Sequence, residues 1–187
     1  MRLDFAAEAP LSYASRLQRR APEDIDLVVI HCTELPDLET AREFGERVHY
    51  PGSGTGNCGH LYIDRDGRTE AWAGLARVAH HTRGFNERSI GIELVNEGRW
   101  PDWLHSERQV MTDPYPGAQI EALVLAIDKL SVLLPGLHWI AGHDELDRER
   151  VPASDDPELK VFRKRDPGPL FPWDRVLSSV SLRRFPG

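Results

Sequence analysis

Two histidines and one aspartate, far apart along the chain, provide the donor atoms of a catalytic zinc site. His31 and His143 each follow an apolar run, and Asp166 precedes a rigid Pro-Gly-Pro turn. Zinc binds imidazole nitrogen and carboxylate oxygen, and three protein ligands leave a fourth position for water. Taken singly, each histidine also fits an ordinary core or surface position, and the spacing matches no local zinc motif such as H-E-x-x-H. If the three side chains meet in space, the chain is a metal-dependent hydrolase.

Apolar runs and helical periodicity predict the elements that would carry these residues. Strands are predicted at residues 26–31, 89–95 and 137–141, and helices at residues 37–50 and 117–134. An Asp66-Gly67 turn between residues 60–64 and 68–72 is typical of a β-hairpin. Strands that alternate with helices favour an α/β fold. His31 and His143 then lie at the carboxyl ends of strands, where the side chains of such sheets converge on a ligand.

The remaining segments are predicted to be irregular. Residues 96–116 form a long loop, residues 144–157 a charged surface loop near the mouth of the site, and the chain after Pro172 a last short helix. Residues 1–24 are polar and contain two prolines, which indicates a surface arm that leads into a catalytic domain at residues 25–187.

Composition indicates one globular domain and argues against several kinds of partner. The 187 residues are 40% hydrophobic and 28% charged, which is ordinary for a domain with its own core. The net charge of −7 argues against a nucleic-acid partner and against docking on an anionic membrane. The N-terminus lacks the pattern of a secretory signal, and no segment reaches the roughly 20 apolar residues that span a bilayer. We expect a cytoplasmic protein, and a monomer.

The two cysteines, Cys32 and Cys58, belong to no C-x-x-C pair. Reduced, buried thiols are the simpler interpretation, although the sequence leaves a disulfide open. Cys32 directly follows His31, so on a strand it points to the opposite face and is a poor partner for the same metal.

Several blocks of the sequence match one known pattern in the right order. The blocks are residues 28–31, 59–63 with Asp66-Gly67, 81–86, 89–94, 142–143, and 164–169 with Phe171 and Trp173. This pattern resembles the zinc-dependent N-acetylmuramoyl-L-alanine amidase family, which includes the AmpD-like recycling amidases, the amidase-type phage lysozymes and the peptidoglycan recognition proteins. The resemblance covers roughly residues 26–175, and it implies a central mixed β-sheet flanked by helices.

The resemblance also implies roles for individual residues. The metal ligands of the family match His31, His143 and Asp166, and an aspartate at the third position is a feature of the AmpD-like branch. Glu93 matches a glutamate that helps to activate the attacking water, and Lys164 matches a lysine that stabilises the oxyanion.

Other positions bear on the base and on the substrate. Gly59 occupies the position at which the phage lysozymes carry a tyrosine whose catalytic role is related to that of Glu93. The absence of this tyrosine favours Glu93 as the base. Two of the candidate substrate contacts also fit a structural role. Trp100 could pack beneath its loop, as loop tryptophans often do, and His81 fits a structural role as well as a contact with substrate. The candidate substrate contacts are His81, Asn86, Arg88 and Trp100.

The expected activity is zinc-dependent hydrolysis of the amide between N-acetylmuramic acid, or its 1,6-anhydro form, and the L-alanine of the peptidoglycan stem peptide. The AmpD-like features imply a part in cell-wall recycling, with soluble muropeptides as substrates. A wall-lytic amidase of phage or autolysin type, acting on intact peptidoglycan, is the alternative within enzymes. A non-enzymatic muropeptide-binding protein and an unrelated zinc amidase or peptidase are the remaining alternatives.

Overall fold

The strands of this computed structural model form one mixed sheet and a separate hairpin. The structure describes residues 3–186. Residues 1 and 2 of the predicted arm and residue 187 of the predicted catalytic domain lie outside the described part. The strands are β1 (Ala7–Glu8), β2 (Leu27–Cys32), β3 (Leu61–Ile63), β4 (Thr69–Ala71), β5 (Ser89–Leu94), β6 (Trp139–Gly142), β7 (Arg150–Pro152), β8 (Lys160–Phe162) and β9 (Arg183–Arg184). The order in the sheet is β1-β4-β3-β5-β2-β6-β9, and neighbours run parallel except in the β3–β4 hairpin. β7 and β8 pair with each other.

The helices are short apart from one that covers a face of the sheet. They are α1 (Leu38–Gly45), α2 (Gly117–Leu133), α3 (His143–Leu146) and α4 (Trp173–Leu177), with 3₁₀ turns at Ala14–Arg16, Pro22–Asp24 and Asn86–Arg88. Ile120, Leu123 and Ile127 of α2 recur at helical spacing and belong to the main core. Within residues 3–186, no helix combines the length and the hydrophobicity that crossing a membrane requires.

The central strand β2 is buried on both faces, which explains its continuous apolar sequence. Val28 and Ile30 join the core that α2 covers. Leu27 and Val29 point the other way, into a smaller cluster. His31 shares this second face, because alternate residues of a strand lie on the same side. The predicted site is therefore built on the face of the sheet opposite to α2.

Most elements with a clear local pattern are present as predicted. The predicted strands correspond to β2, β5 and β6, and the predicted helix at 117–134 corresponds to α2. β3 and β4 form the predicted hairpin, and Gly67 has a φ of +90°, the left-handed conformation that its turn requires. The last short helix, α4, begins directly after Pro172.

α1 is shorter than the helix predicted at residues 37–50, because the chain turns after Gly45. The carboxylate of Asp37 caps the helix by accepting the N–H of Thr40 at 2.7 Å. Beyond the helix, the carbonyl of Thr55 accepts the N–H of His49 at 3.0 Å and that of Tyr50 at 2.9 Å. These backbone groups therefore belong to a turn and cannot continue the helical ladder.

Residues 3–24 are not the surface arm that their polar composition indicated. β1 extends the sheet beside β4, and Leu11 and Leu17 are buried. Arg20 reaches inward and donates to the carbonyl of Ser89 at 2.7 Å. Apolar residues in fact stand at alternate positions from Leu3 to Tyr13, the spacing typical of a strand, and this signal was missed because the polar residues between them indicated a surface segment.

The segment between His143 and Lys164 is more ordered than the charged loop predicted at 144–157. It begins with α3 and continues as the β7–β8 hairpin. The N–H of Ser154 donates to the carbonyl of Leu104 at 2.9 Å, which holds the hairpin against the long loop at 96–116. Strands of three residues with mixed polarity show no clear alternation, and this is why the prediction was wrong here.

Both cysteines are free, buried thiols. Burial raises the pKa of the Cys58 thiol to about 11, and it raises the pKa of Cys32 well above the ordinary value. Thiolates are the form that binds metals, so neither cysteine is prepared to act as a ligand. Cys32 also lies on the opposite face of β2 from His31, as predicted.

Leu17→Ala tests whether the N-terminal segment belongs to the core. Leu17 is 2% exposed and packs in the cluster that contains Trp72, so the change should lower the free energy of unfolding by about 2–5 kcal/mol. Leu125→Ala is the matched control, because Leu125 is 51% exposed on α2 and its truncation should cost under about 0.5 kcal/mol. Urea unfolding measures both. Equal losses in the two variants would contradict the packing described.

Candidate active site

His31, His143 and Asp166 meet in space, as predicted. Nδ1 of His31 lies 2.9 Å from Oδ2 of Asp166, and Nδ1 of His143 lies 3.0 Å from the same oxygen. One donor atom from each residue lies within 4.8 Å of the other two, and each residue is 2% exposed. These residues, called the metal cluster below, are buried around one carboxylate oxygen.

The parallel centre of the sheet brings the two histidines together. β2 runs parallel to β5 and β6 on either side, so the carboxyl ends of all three strands reach one edge. Ile30 lies opposite Gly142, the last residue of β6, and His143 therefore begins α3 beside the end of β2. His31 lies opposite Glu93 of β5, which places both side chains on one face of the sheet.

A turn held by the surrounding backbone presents Asp166 to the histidines. The carbonyl of Asp166 accepts the N–H of Asp144 at 2.9 Å, which ties the turn to the start of α3. The hydroxyl of Tyr115 donates to the carbonyl of Pro167 at 2.6 Å. Gly168 has a φ of +85°, a conformation that other residues rarely adopt. The Pro-Gly-Pro sequence thus fixes the direction of the carboxylate.

The donor set of the metal cluster fits zinc. Tetrahedral ligands about 2.0–2.1 Å from zinc lie about 3.3 Å apart, which is close to the contacts of 2.9 and 3.0 Å observed here. Burial, with the charge of His143 adding to it, lowers the pKa of His31 to about 4, so near neutral pH its imidazole keeps a lone pair for a metal. Oδ1 of Asp166 is buried and meets no hydrogen-bond partner among residues 3–186. A cation would satisfy this carboxylate.

Two buried carboxylates in the site have opposite pKa shifts. Burial raises the pKa of Glu93 well above its usual value, and the negative charge of Asp166 raises it further. Burial acts on Asp166 in the same direction, but the charge of His143 and the hydrogen bond from its ring hold the pKa of Asp166 well below the usual value. Oε1 of Glu93 lies 4.0 Å from Nδ1 of His31. The arrangement suits a proton carrier beside an anionic ligand.

Gly59 leaves the space that Glu93 occupies. A Cβ at this position would lie 2.8 Å from Cγ of Glu93 and 3.1 Å from the carbonyl oxygen of Gly91. A tyrosine here would displace Glu93, so the two residues are structural alternatives. The geometry is consistent with Glu93 as the base in a chain that carries Gly59.

The metal cluster lies in a cavity of about 700 Å³ that Glu93 and Lys164 also line. The positive charge of Lys164 partly offsets the rise in the pKa of Glu93 that burial causes. A cluster that could hold a metal, a buried carboxyl group and a lysine therefore line one cavity, and hydrolysis of an amide requires groups of these kinds.

Comparison with known proteins identifies the family. The sequence profile described as N-acetylmuramoyl-L-alanine amidase matches residues 21–169, which is more than half of the chain. The chain belongs to this amidase family. Its mixed sheet with flanking helices is also the fold of solved amidases and of a complex of peptidoglycan recognition proteins, which matches with a TM-score of 0.52.

Relatives of this amidase-family chain include longer proteins. AmiD of Escherichia coli K12 is 36% identical over 107 residues, which are 57% of this chain and 30% of AmiD. The endolysin of Escherichia phage T7 is 30% identical over 82 residues, which are 43% of this chain and 54% of the endolysin. The chain thus spans between about a third and about half of the length of these relatives.

Solved structures extend the likeness to almost the whole chain. A crystal structure of a selenomethionine derivative of AmpD matches with a TM-score of 0.65 at 25% identity and covers 96% of each chain. A complex of AmiD from E. coli with anhydro-N-acetylmuramic acid-L-Ala-D-gamma-Glu-L-Lys matches with a TM-score of 0.62 at 22% identity and covers 83% of this chain and 57% of that one. The second likeness is one of fold.

Two of the predicted substrate contacts, His81 and Asn86, line the cavity. The ring nitrogens of His81 already have protein partners, since Nδ1 lies 3.0 Å from Nε2 of His31 and Nε2 lies 3.2 Å from Oγ of Ser89. The side-chain oxygen of Asn86 accepts the backbone N–H of His81 at 3.0 Å and that of Thr82 at 2.7 Å. Both side chains therefore organise the wall of the cavity.

The structure does not bring Arg88 and Trp100 to the cavity. Arg88 precedes β5 at the edge of the sheet away from Glu93, and its guanidinium pairs with Asp26. The ring of Trp100 packs 5.2 Å from that of Trp103, and it is Trp103 that lines the cavity. Neither side chain had a periodic signal that could have separated these positions.

Several other residues that line the cavity, among them Tyr50 and Arg83, were not predicted as site residues. The hydroxyl of Tyr50 donates to Oδ1 of Asn57 at 2.8 Å, and the Tyr50 ring lies 4.7 Å from that of His80. Arg83 pairs with Glu149 at 2.9 Å. Arg83 lies within the matched block at residues 81–86, and its place in that block could have indicated a position in the site.

A buried ion pair joins the loops around the cavity. Nε and Nη2 of Arg99 donate to the carboxylate of Glu34 at 2.7 and 2.8 Å, and both residues are buried. Nη1 donates to Oε1 of Gln109 and to the carbonyl of Phe162, and Nη2 donates also to the carbonyl of Arg163. Every N–H of the guanidinium thus has an acceptor. The pair connects the loop after β2, the loop at 96–116 and the segment that leads to the predicted oxyanion lysine.

Glu34→Ala tests the weight of this ion pair in stability. The change leaves the charge of Arg99 buried without its partner, and it should lower the free energy of unfolding by about 3–5 kcal/mol. Glu121→Ala is the matched control, because Glu121 is 74% exposed and its pairing with Arg175 at 3.2 Å lies on the surface. That control should change stability by under about 1 kcal/mol. Thermal and urea unfolding that gave the same loss for both variants would contradict the assignment.

Proposed function

We propose that this chain is a zinc-dependent N-acetylmuramoyl-L-alanine amidase. Its substrate is the amide between the lactyl group of N-acetylmuramic acid and the L-alanine of the peptidoglycan stem peptide. The supporting observation is the meeting of two imidazole nitrogens at one carboxylate oxygen, with Glu93 4.0 Å from His31, in a chain of this family. The same cluster disfavours a protein that merely binds muropeptides, because binding alone needs neither the three donors nor a buried glutamate beside them.

The residues of the site divide the chemistry among them. His31, His143 and Asp166 would hold the zinc, which when bound would supply a Lewis acid and lower the pKa of a water to about 7. Glu93 takes a proton from the attacking water and returns it to the nitrogen of L-alanine as the C–N bond breaks. The ammonium of Lys164 stabilises the negative charge that develops on the carbonyl oxygen. One water is consumed, and the products are a lactyl carboxylate and a free amine.

Glu93→Gln and Asp166→Ala separate the base from the ligands. Glu93→Gln should keep about one zinc per chain but lose activity by about 10²–10⁴-fold, because an amide cannot carry the proton. Asp166→Ala should lose zinc as well as activity, because it removes one of three ligands. Metal analysis of the purified proteins and the mass of the peptide released from a defined muropeptide measure both effects. A wild-type chain that takes up no zinc, or that releases no peptide when loaded, would refute the proposal.

We further propose that the substrates are soluble 1,6-anhydro-muropeptides and that the role is cell-wall recycling. The likeness to AmpD over 96% of each chain supports this role. The AmiD complex contains an anhydro-N-acetylmuramic acid peptide, and a complex of AmpDh3 from Pseudomonas aeruginosa contains an anhydromuramic pentapeptide. The cytoplasmic location and the monomeric state that accompany this role stay predictions.

A wall-lytic role is the second candidate, because the endolysin of phage T7 is 30% identical over 82 residues. A comparison of two substrates separates the roles. The recycling proposal expects release of peptide from a soluble anhydro-muropeptide to be faster by about tenfold or more than release from intact sacculi of equal muramyl-peptide content. The phage T7 endolysin serves as the positive control on sacculi. Equal or faster release from sacculi would overturn the recycling role and favour the lytic one.

A further inference from the structure

A chain of hydrogen bonds runs from His31 away from the metal cluster into the protein. Nε2 of His31 lies 3.0 Å from Nδ1 of His81, and Nε2 of His81 lies 3.2 Å from Oγ of Ser89. The hydroxyl of Ser89 donates in turn to the carbonyl of Phe85 at 2.7 Å. The hydroxyl of Thr82 flanks the first link, 3.0 Å from Nδ1 of His81 and 3.3 Å from Nε2 of His31.

We propose that His81 and Ser89 are positioning residues that hold His31 with Nδ1 directed at the metal. The inference rests on the proposed function, because it requires a metal at the cluster. It assigns His81 to the support of a ligand, in place of the predicted contact with substrate.

The far end of the chain decides where each proton lies. A carbonyl only accepts, so Ser89 gives its hydroxyl hydrogen to Phe85 and its oxygen accepts Nε2–H of His81. Nδ1 of His81 then carries a lone pair, which accepts Nε2–H of His31. Nδ1 of His31 is left without a hydrogen. A neutral imidazole in this tautomer is the form that binds a metal through Nδ1.

This tautomer of His31 makes the metal cluster more stable with a bound cation than without one. The lone pair on Nδ1 of His31 faces Oδ2 of Asp166 at 2.9 Å, and two acceptors at that distance repel each other. A divalent cation held by both atoms removes this repulsion. The hydrogen-bond chain therefore favours the metal-bound form of the cluster over the metal-free form.

The fold builds a fitted site for the ring of His81. Gly91 lies beneath the ring, and a Cβ there would lie 2.7 Å from Cγ and from Nδ1 of His81. The side-chain oxygen of Asn86 accepts the N–H of His81 and that of Thr82, which fixes the backbone that carries the ring. Ser89 and Gly91 occupy alternate positions of β5, so both lie on the face that carries the metal cluster.

The test measures zinc affinity of the full-length chain by competition with a chelator of known affinity. His81→Phe keeps a ring over Gly91 but removes both nitrogens, and it should weaken zinc binding by about 10–100-fold. Ser89→Ala keeps both ring nitrogens of His81 but removes the acceptor of its Nε2–H, and it should weaken zinc binding by a smaller factor. His80→Phe is the matched control, because the ring of His80 packs against Tyr50 and not against a ligand, so its zinc affinity should not change.

A second readout follows the tautomers directly and needs no variant to fold. In the zinc-loaded wild-type chain, ¹⁵N NMR of the imidazoles should place the hydrogen of both His31 and His81 on Nε2. A hydrogen on Nδ1 of His81 would overturn the inference. A folded His81→Phe protein with the zinc affinity of the wild type would overturn it as well.

These outcomes distinguish the inference from the proposed function. A wild-type chain that binds no zinc refutes the function, and the inference with it. A wild-type chain that binds zinc and hydrolyses the muropeptide, while His81→Phe binds zinc equally well, refutes the inference alone.

Discussion

The site depends on the register of three parallel strands. Because β2 pairs with β5 on one side and with β6 on the other, His31 stands opposite Glu93, and the end of β6 delivers His143 to the same edge. Side chains alternate along a strand, so a slip of β2 by one residue would turn His31 toward α2 and bring Ile30 to the cluster. Burial of Val28 and Ile30 beneath α2 opposes that slip. The hydrophobic core thus sets the geometry of the polar site above it.

The same apolar surroundings give two carboxylates different chemistry. A carboxylate removed from water either finds donors or has its pKa raised. Asp166 meets the charge and the hydrogen bond of His143, and its pKa is held low. Glu93 lies near the cluster and has no such bond to a residue in the range 3–186, and burial raises its pKa. The difference suits one residue to hold a metal and the other to carry a proton, although both occupy buried positions beside the same sheet edge.

Loops shape the rest of the cavity, and buried polar contacts hold those loops in place. Every N–H of the Arg99 guanidinium donates to an acceptor, and these acceptors belong to three separate segments. One of them is the carbonyl of Phe162, the last residue of the β7–β8 hairpin. Glu34, the partner of Arg99, has a φ of +50°, a conformation that costs energy in a residue other than glycine. The ion pair holds that backbone in position.

The sequence by itself determined the parts with local signals. The apolar run of β2, the helical period of α2, the Asp-Gly turn and the Pro-Gly-Pro turn all correspond to the observed elements, and the matched blocks singled out the three residues that meet. Tertiary structure alone decided which surface residues 3–24 pack against, how the short strands of the β7–β8 hairpin pair and what surrounds His81. Those features rest on contacts between distant segments, such as the hydrogen bond from His31 to His81 across 50 positions of sequence. Local patterns carry no record of such contacts, because they arise only when strand register and core packing bring the segments together.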